Sequence, residues 1–222
     1  MIVKRWRSLL VVVCQIWLLT IIAAATELAQ AQQPQVRTIP FDPAIPIADR
    51  LRPDDSVVVI EMLSGPPLTA VRAESFAAEI ERLAKSDTIA VVDVLSTAGV
   101  WIDNGTWLRT QVTGVLSRLI KGDRTIEDRS GRVGFWHHNG ETVLNGVRVV
   151  AGTYLQFERG KRYLLFLYPD RPVGLVVVQA FALGTDGQLE RIRYSNGSDD
   201  STATTLAGRG ANEVIDALTR AK

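Results

Sequence analysis

Two apolar runs, "TIAVVDVLSTAGVWI" (88–102) and "TWLRTQVTGVLSRLI" (106–120), flank the tripeptide Asp103-Asn104-Gly105. An Asn-Gly step reaches positive φ at little cost, so this junction reads as the tight turn of a hairpin. In the second run Leu108, Val112 and Leu116 fall on one side, and Trp107, Arg109, Gln111 and Thr113 on the other. A two-residue period with one wet face is what a half-buried antiparallel strand requires. A hairpin of that length commits the chain to an antiparallel sheet.

The same punctuation recurs. Asn-Gly stands at 139–140, 145–146 and 196–197, and Asp-Gly at 186–187. Between these turns, strands are expected at about 132–137, 142–150, 162–168, 173–183 and 188–194, with one more at 56–63. "YLLFLY" (163–168) is apolar on both faces and belongs in the middle of a sheet. "LGTDGQLE" (183–190) reads as a second hairpin. Many short strands with such turns argue for a barrel or sandwich over a parallel α/β sheet. The expected domain spans 56–194.

One helix is predicted, at about 69–85. Phe76, Ile80 and Leu83 share a face, with Glu74, Glu79, Glu81 and Arg82 on the wet side. Before the domain, residues 32–55 carry Pro34, Pro40, Pro43 and Pro46 and read as an irregular lead-in. After it, 195–222 reads as a polar flexible tail with a short helix at 212–220.

The first 31 residues read as a signal peptide. Lys4, Arg5 and Arg7 precede an apolar run from Leu9 to Ala25, and Ala29-Gln30-Ala31 offers the small-x-small pattern of a cleavage site between Ala31 and Gln32. An uncleaved anchor facing outside is the alternative, and is the one way this chain is expected to meet a membrane. Export to the periplasm or exterior is expected. The only cysteine, Cys14, lies in the leader, so the mature chain has no thiol for a disulfide, a metal or a nucleophile. Cleavage leaves 22 basic against 23 acidic side chains, without the basic excess that a nucleic acid partner calls for.

A helix leading into a long hairpin that ends in "VLSRLIKGD" (115–123), followed by "FERGKRYLLFL" (157–167), resembles a group of exported bacterial domains. Their barrel is similar to the netrin-module and tissue-inhibitor-of-metalloproteinases family. The resemblance covers roughly 70–183 and rests on Lys121-Gly122-Asp123, Gly160, Tyr163 and the flanking strands. It implies a mainly β fold: a small antiparallel barrel of the oligonucleotide/oligosaccharide-binding (OB) type, with a preceding helix and a short C-terminal one. Inhibition through an amino-terminal cysteine is not implied, because none is present.

Chemistry is sparse. His137 and His138 are adjacent, and neighbours on a strand point to opposite faces, so the pair cannot close on one metal. No metal or cofactor is expected. No nucleophile elbow, zinc-binding helix motif or phosphate loop occurs. Asp93 interrupts "IAVVDVL" and is the carboxylate to inspect for a hydrolase with a carboxylate pair. The leading expectation is instead a non-catalytic binding domain whose partner is a protein or glycan of the envelope or exterior. Trp107, Arg109 and Gln111 would bind it with Trp101 near the hairpin tip, and Trp136 with Arg132 form a second candidate patch.

Overall fold

A computed structural model of the chain describes residues 35–61, 75–171, 173–198 and 205–221. The leader and its cleavage position lie outside them. The described residues from Arg37 onward form one compact unit. The elements are β1 (Val36–Pro40), β2 (Val57–Glu61), α1 (Phe76–Leu83), β3 (Thr88–Ile102), β4 (Trp107–Lys121), β5 (Arg132–His138), β6 (Gly140–Leu144), β7 (Val147–Ala151), β8 (Arg162–Asp170), β9 (Gly174–Leu183), β10 (Leu189–Arg191) and α2 (Ala211–Arg220).

The long hairpin forms where its turn residues require it. Asp103, Asn104 and Gly105 all take positive φ (50°, 56° and 81°), and β3 pairs with β4 from Ile102↔Trp107 down to Ile89↔Lys121. β4 pairs onward with β5, and β3 with β8, which turns into β9. β9 then closes on β5 through Trp136↔Val176. Taken in chain order, the five barrel strands run 1-2-3-5-4 and back to 1, so the protein is mainly β with a closed five-stranded barrel of the OB type. The closing seam is parallel, so the barrel is not antiparallel throughout.

Three cores follow from the alternation. Val92, Val112, Phe135, Tyr163 and Leu165 fill the barrel. On the outside, α1 and α2 lay Ile80, Leu83, Val214 and Leu218 over Ile89, Val91, Leu164 and Phe166. "YLLFLY" is therefore apolar on both faces because one face lines the barrel and the other lies under helices. The far end of the hairpin projects past the barrel, where Leu108 and Trp101 pack on a second sheet, ordered β1-β2-β7-β6, through Ile39, Val58, Ile60 and Val149.

Several expectations need correction. β2 joins the second sheet, not the barrel, by pairing in parallel with β7. The lead-in is not irregular throughout: it supplies β1 and a short 3-10 turn at Ile47–Arg50. β1 is an edge strand with Pro40 as its last residue, where a missing N–H costs no ladder bond. The run 142–150 is two strands, split where Asn145 and Gly146 take positive φ. α1 begins after Ser75, whose side chain caps it by accepting from the Ala78 N–H at 3.2 Å, while 69–74 lie outside the described residues. Glu79 is not on the wet side but fully buried, held by Arg82 at 2.5 Å. In the tail, Leu206 and α2 belong to the core under the helices, whereas 199–204 lie outside the described residues.

Candidate functional site

The helices cover the wall made by β3, β8 and β9, and the wall made by β4 and β5 remains partly open. Leu108, Thr110 and Val112 point inward from β4, which turns Trp107, Arg109, Gln111 and Thr113 outward, all partly exposed. On β5, Val133 and Phe135 point inward, so Arg132, Gly134, Trp136 and His138 face out. The register sets Trp136 opposite Gln111, Gly134 opposite Thr113 and Arg132 opposite Val115. The two patches separate in the sequence are one wall.

That wall continues around the barrel. Val176 pairs with Trp136 on one side and with Tyr168 on the other, so Gln111, Trp136, Val176 and Tyr168 form a row across four strands. Val176 is fully buried although it belongs to none of the three cores, which fits its place between two aromatic residues. The charged groups beside the row engage one another. Arg109 Nη1 donates to Asp170 Oδ2 at 2.7 Å, with the two side chains only 14% and 23% exposed. His138 Nε2 shares a hydrogen bond with the Tyr168 hydroxyl at 2.9 Å. Partial burial, and then the Arg109 cation, hold the His138 imidazole below its ordinary pKa against the pull of Asp170. Burial and then the Asp170 charge push the Tyr168 hydroxyl up.

The remaining predicted residues lie as follows. Trp101 pairs with Leu108, not Trp107, and so faces inward against the second sheet, its Nε1 enclosed without a partner. It does not join the outer row, because cross-strand partners share a face. Trp107 does face out, but its ring packs on Phe41 with centroids 4.4 Å apart, so the lead-in covers it. Arg132 is exposed, beyond Gly134 from Trp136. His137 points inward, half-buried, and its Nδ1 is enclosed without a partner. Burial, and then the neighbouring His138, push its imidazole down to about 4. Among the described residues no group of three or more His, Cys, Asp or Glu is placed to hold a metal ion.

Asp93 sits on the outer face of β3, bound to Arg162 Nε at 2.7 Å and to the Ser117 hydroxyl. Burial works to raise its pKa, but the hydrogen bonds from Arg162 and Ser117, with the Arg162 charge, outweigh it and hold the carboxyl low. It lines a surface cavity of about 520 Å³ with Lys161, Arg162 and Glu190.

Sequence reasoning missed Tyr168, Asp170, Val176 and Gly134. The period of β5 could have placed Gly134 on the outer face. The others join the wall only through the β5–β9–β8 pairing, which leaves no local trace. The residues that carried the resemblance are structural: Gly122 and Gly160 take positive φ, the Lys121 ammonium donates to the Ala84 carbonyl at 2.8 Å, and the buried Tyr163 hydroxyl accepts from the Glu158 N–H at 2.8 Å.

Fold and site together define an OB-type barrel with a partly open aromatic wall. No protein-family model matches the chain, and no curated protein is significantly similar to it.

Proposed function

We propose that the chain is a non-catalytic binding domain, exported to the cell envelope or exterior, that holds a protein or glycan against the β4–β5 wall. One observation carries this reading: the row from Gln111 through Trp136 to Tyr168 is partly exposed, while the charged and titratable groups beside it are tied to each other. Such a surface suits holding a ligand and offers no uncommitted proton donor or acceptor pair. OB barrels take ligands across the face of their second and third strands, which are β4 and β5 in this chain.

The hydrolase alternative needs two carboxylates, one with a raised pKa. Asp55, Asp93 and Asp128 are all held below the ordinary range, which favours binding. Export rests on the leader, with membrane contact only if that leader is kept; among the described residues no helix is long and apolar enough to cross a bilayer. Kinship with the netrin-module and tissue-inhibitor-of-metalloproteinases family remains part of the proposal, supported by the barrel and the turn and core residues above.

The test is a cross-linking capture from intact source cells with the full precursor carrying a C-terminal tag. The expected result is a mature chain beginning at Gln32 and a specific ligand lost on combining Gln111→Ala with Trp136→Ala. A ligand retained by that double variant refutes the wall. An uncleaved, cytoplasmic chain refutes the exported domain.

A further inference from the structure

β3 changes character halfway along. Its barrel half runs beside β8 as far as Asp93↔Arg162, and Val94 closes that ladder, donating to the Lys161 carbonyl at 2.9 Å and accepting from the Gly160 N–H at 2.8 Å. Beyond Val94, β4 is the only described strand that pairs with it. Residues 95–98 are exposed and nothing from Leu95 to Ile102 is buried, although β4 opposite them alternates between buried and part-exposed positions. The register shows which backbone groups face outward. Thr110 donates its N–H to the Asn139 carbonyl at 2.9 Å, away from β3, and along a strand these groups alternate sides. Thr97, Gly99 and Trp101, opposite Val112, Thr110 and Leu108 without a register shift, therefore turn their N–H and C=O groups to the open edge. Such an edge is a template for another strand, and proteins blunt theirs with charge, proline or shortness. β1 carries Arg37 and ends in Pro40, β6 carries Glu141, and β10 is 3 residues long with Glu190 and Arg191. The stretch 95–102, LSTAGVWI, has neither charge nor proline.

We infer that the open edge of β3 takes an extended, uncharged segment of a partner protein as an added strand, on a surface separate from the β4–β5 wall. Backbone donors and acceptors presented at every second residue are met by another extended backbone, which is how strand addition gains its affinity. The side chains decide what kind of segment fits. Leu95 stands exposed at the barrel end of the edge. Nearer the hairpin tip β6 crosses the hairpin: a Cβ on Gly140 would touch Thr110 of β4, and one on Gly99 of β3 would touch Glu141 and Thr142. The chain thus passes from β4 across β3, and Val143, 67% exposed, comes out at the edge. Two apolar side chains flank an uncharged edge, which suits a segment with apolar residues and no charge within the pairing length, since a charge covered there would lose water without gaining a partner. A second copy of this chain fits less well, because pairing two of these edges brings both β6 strands over the same stretch around Gly99. The occupant is a single strand of a different protein.

The experiment follows amide hydrogen exchange residue by residue in the purified full chain. The probe is a peptide of about eight residues alternating valine and threonine, with lysines beyond the pairing length for solubility. Its controls are the same peptide methylated on every backbone nitrogen of the pairing length, and one with glutamates in place of the threonines. In the free chain Thr97, Gly99 and Trp101 should exchange fast, and Ala98 and Val100, bonded to β4, slowly. At saturation the valine–threonine peptide should slow Thr97, Gly99 and Trp101 at least about tenfold and leave Ala98 and Val100 nearly unchanged, and neither control should act. Thr97→Pro removes an N–H that serves no ladder of the fold, so the urea midpoint should hardly move while protection at Gly99 and Trp101 is lost. Val143→Lys repeats the test without touching the backbone and should weaken binding at least about threefold. No slowing by the peptide, or equal slowing by its methylated form, overturns strand addition. Slow exchange of Thr97, Gly99 and Trp101 in the dilute free chain overturns the open edge, and protection that appears only as the chain self-associates in sedimentation assigns the edge to a second copy and overturns the foreign strand. Combining Gln111→Ala with Trp136→Ala should leave peptide binding intact, so the edge and the wall stand or fall separately.

Discussion

His137 sits half-buried on the inner side of β5 with its Nδ1 enclosed, while His138 faces out and bonds Tyr168. The unfolded chain takes up a proton at His137 near pH 6.5, whereas burial delays that uptake in the folded chain to about 4. Between those values the unfolded state binds more protons, so stability falls as pH drops from 6.5 towards 4 and the loss is complete below. At about 1.4 kcal/mol per pH unit, the group removes up to about 3 kcal/mol. Asp55 and Asp93, whose folded pKa values are depressed, give up their contributions only below the ordinary carboxyl value of 3.8, outside this window. Urea midpoints at pH 7, 5 and 4 should therefore decline in the wild type. His137→Leu should reduce that decline without loss at pH 7, since it also removes an unpartnered buried nitrogen, while the share from His138, whose imidazole is also held low, remains. A second residue-level expectation concerns Arg109: Asp170→Ala strips its carboxylate and should cost about 1–2 kcal/mol, with Asp170→Asn costing less because an acceptor remains. Alternation along the strand was enough to put the two histidines on opposite faces, but not to say what covers each.

At the scale of elements, two glycines written with the same letter stand in opposite surroundings. Gly99 lets β6 lie against β3, and a Cβ there would stand 1.8 Å from the Glu141 carbonyl oxygen and 2.6 Å from its carbon. Gly99→Val must force the barrel hairpin and second sheet apart, and should cost about 3 kcal/mol or more in urea unfolding. Gly134→Val, where a Cβ meets nothing within 4 Å, should be neutral or stabilising in the same assay. The contrast cannot be read from sequence, because it depends on what lies across from each strand. The β3–β4 hairpin was legible because its turn and alternation are local. The second sheet was not: Val57 pairs with Arg148, far along the chain, and the prolines around β1 disguised an edge strand. Helix α1 was legible in type but not in its start. Ser75 was an available signal, and Ser75→Ala should cost about 1 kcal/mol through loss of the cap.

Over the whole molecule, β3 and β4 tie everything together, because each contributes to all three cores. Ile89, Val91 and Ile120 lie under the helices, Val92, Val94 and Val112 inside the barrel, and Trp101 and Leu108 against the second sheet. With Cys14 its only cysteine, no disulfide can hold these layers together, so their coupling must come from the shared strands. Loosening one layer exposes the flank of a strand that the next layer needs. The described domain should therefore unfold in one transition. Tryptophan fluorescence reports Trp101 in the second-sheet core together with Trp136 on the barrel wall, and far-ultraviolet circular dichroism reports all strands, so the two curves should coincide. Leu108→Ala, a truncation in the second-sheet core, should cost about 2–4 kcal/mol and shift both curves together. A fluorescence step preceding loss of strand signal would instead mean that the second sheet and lead-in detach as a separate unit, leaving the barrel to stand on its own two cores.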